Sequence, residues 1–241
     1  MHVLSLPQRV LMVTFLLILL VPRQTRAIPR TDSAFHTAKS LLQTLASNDA
    51  EMPNLDLLRR ALAGYYQLRH QDQLSDKQII TIVDFRKPSS ERRLWVIDLA
   101  TKRVRYHSFV AHGRNSGELY ATRFSNRVNS YQSSLGFFIT GDTYNGKHGL
   151  SLKLYGAEKG INDKAEARAI VMHGADYVSE SFIKKTGRLG RSLGCPAIPY
   201  DIHRDLIGTV AGGTCLFIYY PDENYLRMSS IGNPSSVIVA R

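Results

Sequence analysis

Up to about residue 75 the chain repeats its apolar residues at helical spacing, and from Gln78 onward the spacing becomes that of strands. In "DSAFHTAKSLLQTLA", Phe35, Ala38, Leu42 and Leu45 fall on one face, with Asp32 or Ser33 placed to cap the helix. In "PNLDLLRRALAGYYQLRHQ", Leu55, Leu58, Leu62 and Tyr65 do the same behind Asn54 as cap. These two stretches predict a small helical lead-in over 28–75 whose apolar faces pack on a larger body. Then "QIITIVDFRKP" and "RRLWVIDLATKRVRYHSFVAHG" give β-rich runs, the second folding back at Ala100–Lys102. "SSLGFFITGDTYNG" and "KHGLSLKLYG" form another pair, and "EARAIVMHGADY" predicts a short strand over Ala169–Met172 ending against a histidine. "YDIHRDLIGTVAGG" predicts a short helix with Ile202, Leu206 and Val210 inward, and "TCLFIYYP" supplies the last strand. Many short strands with few helices predict a mostly β fold, a β-sandwich or open barrel, over 76–225, with 226–241 as a tail.

The first segment has a different pattern. "MHVLSLPQRVLMVTFLLILLVPRQTRA" carries Arg9, an apolar run from Val10 to Val21, a break at Pro22, and Ala27 after Thr25 and Arg26. This is the layout of a secretory signal peptide cleaved after residue 27. An uncleaved anchor is the rival, but the run is short of the roughly 20 apolar residues a bilayer needs. The expectation is an exported protein without a membrane span once 1–27 is removed.

Composition changes the picture little. The 241 residues are 44% hydrophobic and 21% charged, enough to build one sizeable core. Removing 1–27 takes away Arg9, Arg23 and Arg26 and no acid, lowering the formal charge from +11 to +8. A basic exported protein suits an anionic polymer or surface. The basic residues are scattered rather than clustered, which argues against nucleic acid as a partner.

Two cysteines in an exported chain raise the question of a disulfide. A domain of this size does not need one. Cys215, within "GGTCLFIYY", reads as an inert core thiol, while Cys195, in "GRSLGCPAIPY" at 190–200, sits in an open glycine-rich turn. A working thiol needs that setting together with a base. His173, at the end of "AIVMHG", is the candidate base, with the Gly174 carbonyl or Asp176 as the group that orients its ring. The N–H groups of Gly194 and Cys195 are candidate donors to a developing oxyanion, and Ser192 a candidate for bonding within the loop or assisting the leaving group. Pro196 has no N–H to compete for that anion.

The stretch "VMHGADYVSE…GRSLGCPAI" resembles the histidine–cysteine signature of the murein L,D-transpeptidase catalytic domain family, whose usual pattern is His-Gly, a spacer, then Ser-x-Gly-Cys. The strand-like stretches between about 80 and 220 resemble that domain as well. The resemblance implies a mostly β catalytic domain, exported to the periplasm or cell envelope of a bacterium and needing no cofactor. It implies that Cys195 attacks the diaminopimelate–D-alanine bond of a peptidoglycan stem tetrapeptide and passes the acyl group to an amine or to water. By matched position Cys195 is nucleophile, His173 base, Gly174 the orienting carbonyl, and Ser192 with Gly194 the loop around the anion. Pro196 and Ala197 stand where many members have an aliphatic residue and then Arg or Asn, and the spacer is somewhat long; both mark a distinct subgroup. For the substrate's carboxylates the first candidate is Arg191; Lys147, His148 and Lys153 beside Tyr144 follow.

Two other classes remain open from the residues. His112, His148, His173 and His203 with Cys195 would be the ligand pool of a zinc hydrolase, although no pair has tight metal spacing. A non-catalytic wall-binding module would keep the fold without needing both Cys195 and His173.

Overall fold

The first and last strands of the domain lie side by side at the centre of one sheet. The structure, a computed structural model, describes residues 31–46 and 51–232; the expected signal segment and the tail from 233 lie outside the described residues. Two helices come first, α1 Thr31–Ala46 and α2 Leu55–His70. Eight strands follow: β1 Ile79–Asp84, β2 Leu94–Asp98, β3 Arg103–Ser108, β4 Gly136–Gly146, β5 Gly149–Gly156, β6 Val171–Gly174, β7 Ala197–Ile198 and β8 Cys215–Tyr219. Helix α3 Glu180–Thr186 lies between β6 and β7, α4 His203–Val210 between β7 and β8, and α5 Glu223–Met228 after β8. The sheet order is β3-β2-β1-β8-β4-β5-β6-β7.

Strand β8 pairs parallel with β1 and antiparallel with β4, so "CLFIY" is buried at every position. A strand covered on both faces reads as a continuous apolar run, and this one does. Isolated bridges Ala111↔Ala197 and Gly113↔Ser192 tie the segment after β3 to β7 and the loop before it. The two ends of the sheet thereby meet, and it curls into a nearly closed barrel, the open-barrel form of the expected mostly β fold.

Hairpin β2–β3 turns at Leu99–Lys102 as expected, with Lys102 at φ 52° and the Thr101 N–H donating to Asp98 Oδ1 at 3.0 Å. Hairpin β4–β5 turns on Lys147 and His148. The expected strand at Ala169–Met172 is displaced: β6 begins at Val171 and contains His173 and Gly174, because Ala169 adopts φ 51° and ends a preceding turn instead.

The lead-in packs on the sheet. Asn54 caps α2 through its Oδ1, which accepts from the Asp56 N–H at 2.9 Å. Leu57, Leu58, Ala61, Leu62 and Leu68 join the core, while Leu55 is half-buried. At Gly64 a side-chain carbon would lie 2.1 Å from the Phe137 ring, so only glycine lets helix and sheet approach this closely. Phe137 in turn stacks on Phe217 at 4.2 Å, joining β4 to β8 beneath the helix. On α1, Ala38, Leu41 and Leu45 are buried and Leu42 half-buried; Phe35 lies where no side chains are described. Asp32 and Ser33 sit inside α1 rather than capping it. Helix α5, capped by Asp222, runs across the expected boundary between 225 and 226. None of the described helices is long and apolar enough to cross a membrane.

Candidate active site

Strands β6 and β7 bring the 170s and the 190s together. The pair is parallel, with His173 opposite Ala197, and the His173 N–H donates to the Pro196 carbonyl at 3.4 Å. Two residues earlier in both segments, the Val171 N–H points at Cys195 Sγ at 3.4 Å, and the sulfur faces the Ala169 carbonyl at 3.7 Å. Val171 and His173 project from the same face of the strand. Cys195 and His173 therefore line one cleft of about 830 Å³, a size suited to a peptide-sized ligand. Both cysteines are free thiols, and Cys215 is buried in β8, so there is no disulfide between them.

The histidine ring is held in one tautomer. Its Nδ1 lies 2.9 Å from the Gly174 carbonyl, which can only accept, so Nδ1 carries the proton and Nε2 the lone pair. Asp176, the other candidate orienter, does not bond the ring. Burial pushes the imidazole below its ordinary value, and the nearby His148 and Lys147 add to this, while the bond to Gly174 acts in the opposite sense. Gly174 has a further reason to be glycine: a side-chain carbon there would fall 2.5 Å from the Tyr200 ring and 2.9 Å from His203.

The sulfur lies in a mixed field. Burial raises the thiol above its ordinary value, and the Val171 N–H, Arg168 and Lys147 oppose that rise. With the thiol raised and the imidazole lowered, both shifts favour the neutral form of the group.

The catalytic turn is braced from inside. Ser192 Oγ donates to the Cys195 carbonyl at 2.6 Å and accepts the Gly194 N–H at 3.0 Å. Ser192 is thus a loop-bonding residue, and the Gly194 N–H expected to face the oxyanion is occupied by it. The Cys195 N–H has no acceptor among the described residues and is the donor that remains. Gly194 adopts φ 124°, where a side-chain carbon would meet the Gln132 carbonyl at 2.9 Å. From behind, Ser133 Oγ donates to the Gly194 carbonyl at 3.3 Å and accepts the Gly113 N–H at 3.0 Å. His112 supports the same turn, its carbonyl accepting the Ser192 N–H at 3.0 Å. Its ring lies between the fully buried Arg93, 2.8 Å from Nδ1, and the Gly117 carbonyl, 3.2 Å from Nε2.

The remaining candidates divide. Tyr144, Lys147 and His148, at the tip of the β4–β5 hairpin, line the cleft beside His173. Arg191 lines it as well, but Nη1 already donates to Glu118 Oε1 at 2.6 Å and to the Arg114 and Gly117 carbonyls. Arg188 pairs with the same carboxylate at 3.0 Å, so Glu118 draws Arg191, the first candidate for a substrate carboxylate, into bracing the loop. Lys153 is exposed on β5 and does not line the cleft. No cleft residue comes from the helical lead-in.

Sequence reasoning missed Arg168, Tyr177 and the wall formed by Val128, Asn129 and Tyr131. Local sequence carries no signal for Arg168, which reads as one more charge in a polar stretch. The zinc reading finds no support in placement, because no three His, Cys, Asp or Glu side chains cluster to hold a metal among the described residues. His112 is engaged as above, and His203 Nδ1 bonds the Tyr200 carbonyl at 2.7 Å.

Comparison with known proteins gives a family. The model of the L,D-transpeptidase catalytic domain matches residues 49–219. No curated protein sequence matches the chain. Among solved structures, an L,D-transpeptidase from Mycobacterium smegmatis is 11% identical with a TM-score of 0.37, the match covering 59% of each chain. L,D-transpeptidase 3 from Mycobacterium tuberculosis is 9% identical with a TM-score of 0.38, over 59% of this chain and 61% of that one. One from Stackebrandtia nassauensis is 15% identical with a TM-score of 0.35, over 80% and 98%. The chain thus spans about three fifths of the length of the two mycobacterial proteins.

Proposed function

The chain belongs to the L,D-transpeptidase catalytic domain family, and from that premise we propose that it is an exported cysteine acyltransferase acting on peptidoglycan stem peptides in the bacterial cell envelope. The observation that carries the reading is the bond from His173 Nδ1 to Gly174, which leaves Nε2 as the basic atom in the cleft that holds Cys195.

The step begins with the neutral pair. As Cys195 Sγ bonds to the carbonyl carbon of the diaminopimelate–D-alanine amide, its proton passes to His173 Nε2. The former carbonyl oxygen gains the negative charge and meets the Cys195 N–H. When the carbon–nitrogen bond breaks, the imidazolium returns its proton to the departing amine, and D-alanine leaves. The thioester is then attacked by an amine, making a cross-link, or by water, making a shortened stem. The same imidazole takes the proton of whichever attacks and returns it to the sulfur. Lys147 at the rim has a free ammonium for a substrate carboxylate, and Tyr144 and Tyr177 offer apolar walls. The hairpin tip above His173 shields the reacting atoms from bulk water.

The test is release of D-alanine from disaccharide tetrapeptide by the mature protein, followed with and without an acceptor stem. Wild type releases it, forming cross-linked dimer with the acceptor or tripeptide with water, and Cys195→Ala does not. Release at the wild-type rate by Cys195→Ala would reject the reading.

A further inference from the structure

We propose that Arg168 is a positioning residue for Cys195, its guanidinium clamping the 125–134 loop against the catalytic turn and lending its positive charge to the thiolate. This rests on the reading of Cys195 as nucleophile. Arg168 lines the cleft on the sulfur's side, one residue before the left-handed Ala169 whose carbonyl faces Sγ. Its Nη2 lies 3.4 Å from the point where a Gly194 side chain would begin, directly behind the turn.

Both terminal nitrogens of the guanidinium donate to neutral oxygens. Nη1 donates to the Ser125 carbonyl at 2.6 Å and to Ser134 Oγ, and Nη2 to the Gln132 carbonyl at 2.5 Å and Ser130 Oγ at 3.2 Å. Four residues of one loop converge on one side chain. That loop carries Asn129 and Tyr131, both non-glycine residues with positive φ, 58° and 55°. Such backbone persists only where its surroundings impose it, and Arg168 ties the loop down together with Asn115, whose Nδ2 donates to the Ser130 carbonyl at 2.9 Å, and Ser116, whose Oγ accepts the Ser133 N–H at 2.9 Å.

Among the described residues the charge has no carboxylate opposite it, and the ionisable group it couples to is Cys195. The other groups lining the sulfur's cleft are His173 from β6, Lys147 and His148 from the hairpin tip, Arg191, which is paired with Glu118, and Tyr177, whose hydroxyl burial keeps neutral by pushing it up to about 12. Arg168 and Lys147 are thus the permanent cations on the sulfur, and Lys147 is exposed to screening by solvent.

The experiment is the pH dependence of iodoacetamide alkylation, with Cys195→Ala as the control for the buried Cys215. Arg168→Met is expected to raise the alkylation midpoint by about one unit or more, the size of an opposite-charge contact. Arg168→Lys keeps the charge but loses the planar fork, so its midpoint stays near wild type while kcat/KM falls at least about tenfold. A merely structural role would lower stability in both variants without moving either midpoint, and an unmoved midpoint in folded Arg168→Met overturns the proposal. Should the methionine variant not fold, wild-type turnover by Arg168→Lys overturns it instead. Alkylation needs no substrate, so the outcome stands apart from the proposed function: a chain that releases no D-alanine still reports the midpoint, and one that releases it with flat midpoints removes only Arg168's role.

Discussion

The imidazole of His148 lies nearly flat on that of His173, with ring centroids 4.4 Å apart and planes 18° from parallel. His148 belongs to the hairpin turn and His173 to strand β6, and the β5–β6 ladder, with Ser151 opposite His173, holds one over the other. The hairpin tip is therefore a cover for the base, and His148 does more than line the rim. A ring pair of this kind is worth about 0.5–1.5 kcal/mol beyond the area it buries. His148→Ala is expected to lower kcat by about twofold to tenfold, with His148→Phe restoring most of it by keeping the stack. In the phenylalanine variant His173 also loses a neighbour that depresses its basicity, so the acid limb of kcat/KM moves to higher pH. Equal kcat in the alanine variant and wild type would remove the stack from the mechanism.

Gly174 serves the histidine with its carbonyl and the packing with its missing side chain. Gly174→Ala forces a methyl group into Tyr200 and His203, an overpacking that costs about 1–3 kcal/mol. Urea unfolding measures that cost, and adding Tyr200→Ala to the same chain is expected to recover part of it. A variant as stable as wild type would mean that this corner is loose.

Ser192 connects both ends of the catalytic turn. Ser192→Ala leaves the Gly194 N–H unpaired and removes a donor to the Cys195 carbonyl, a loss of about 1–3 kcal/mol at a buried site. Activity is expected to fall about tenfold or more, with Ser192→Thr closer to wild type because it keeps the hydroxyl. Identical rates for alanine and threonine variants would assign the turn's shape to glycine alone.

Stability depends on pH through two buried groups of opposite sign. Burial, and then the neighbouring Arg93, push His112 down to about 3, whereas an unfolded imidazole binds its proton near pH 6.5. The unfolded chain thus takes up the extra proton, and stability is lost as pH falls from about 6.5 toward 3. Burial pushes Glu158 up to about 7, above the ordinary 4.5, although its bonds to Ser229 and the Phe137 N–H pull the other way. Its contribution is fully present below about pH 4.5 and is lost as pH rises toward 7. In urea midpoints, His112→Gln should flatten the acid decline. Glu158→Gln should gain on wild type between pH 5 and 8. Curves parallel to wild type in both variants would place the pH dependence elsewhere.

The strand periods, the two hairpins, the Asn54 cap and the lead-in helices were legible because each depends on residues close in the chain. Helix α3 was legible too but missed: Ser179 accepts the Phe182 N–H at its start, and Gly187, at φ 78°, ends it. Short exposed helices leave little apolar periodicity to read. The cysteine in its glycine turn and the histidine at the strand end also stood out, since both need local backbone shapes that few residues permit.

By itself the sequence determined the strand and helix pattern, the glycine-rich turn around Cys195 and the histidine with an acceptor carbonyl beside it, all products of local backbone and side-chain chemistry. Only the tertiary structure decided that β8 sits at the sheet's centre and that Glu118 occupies Arg191. It alone placed Arg168 behind the sulfur and His148 over the base. Those relationships join residues far apart in the chain, where partners are set by strand pairing and burial and no local pattern records them.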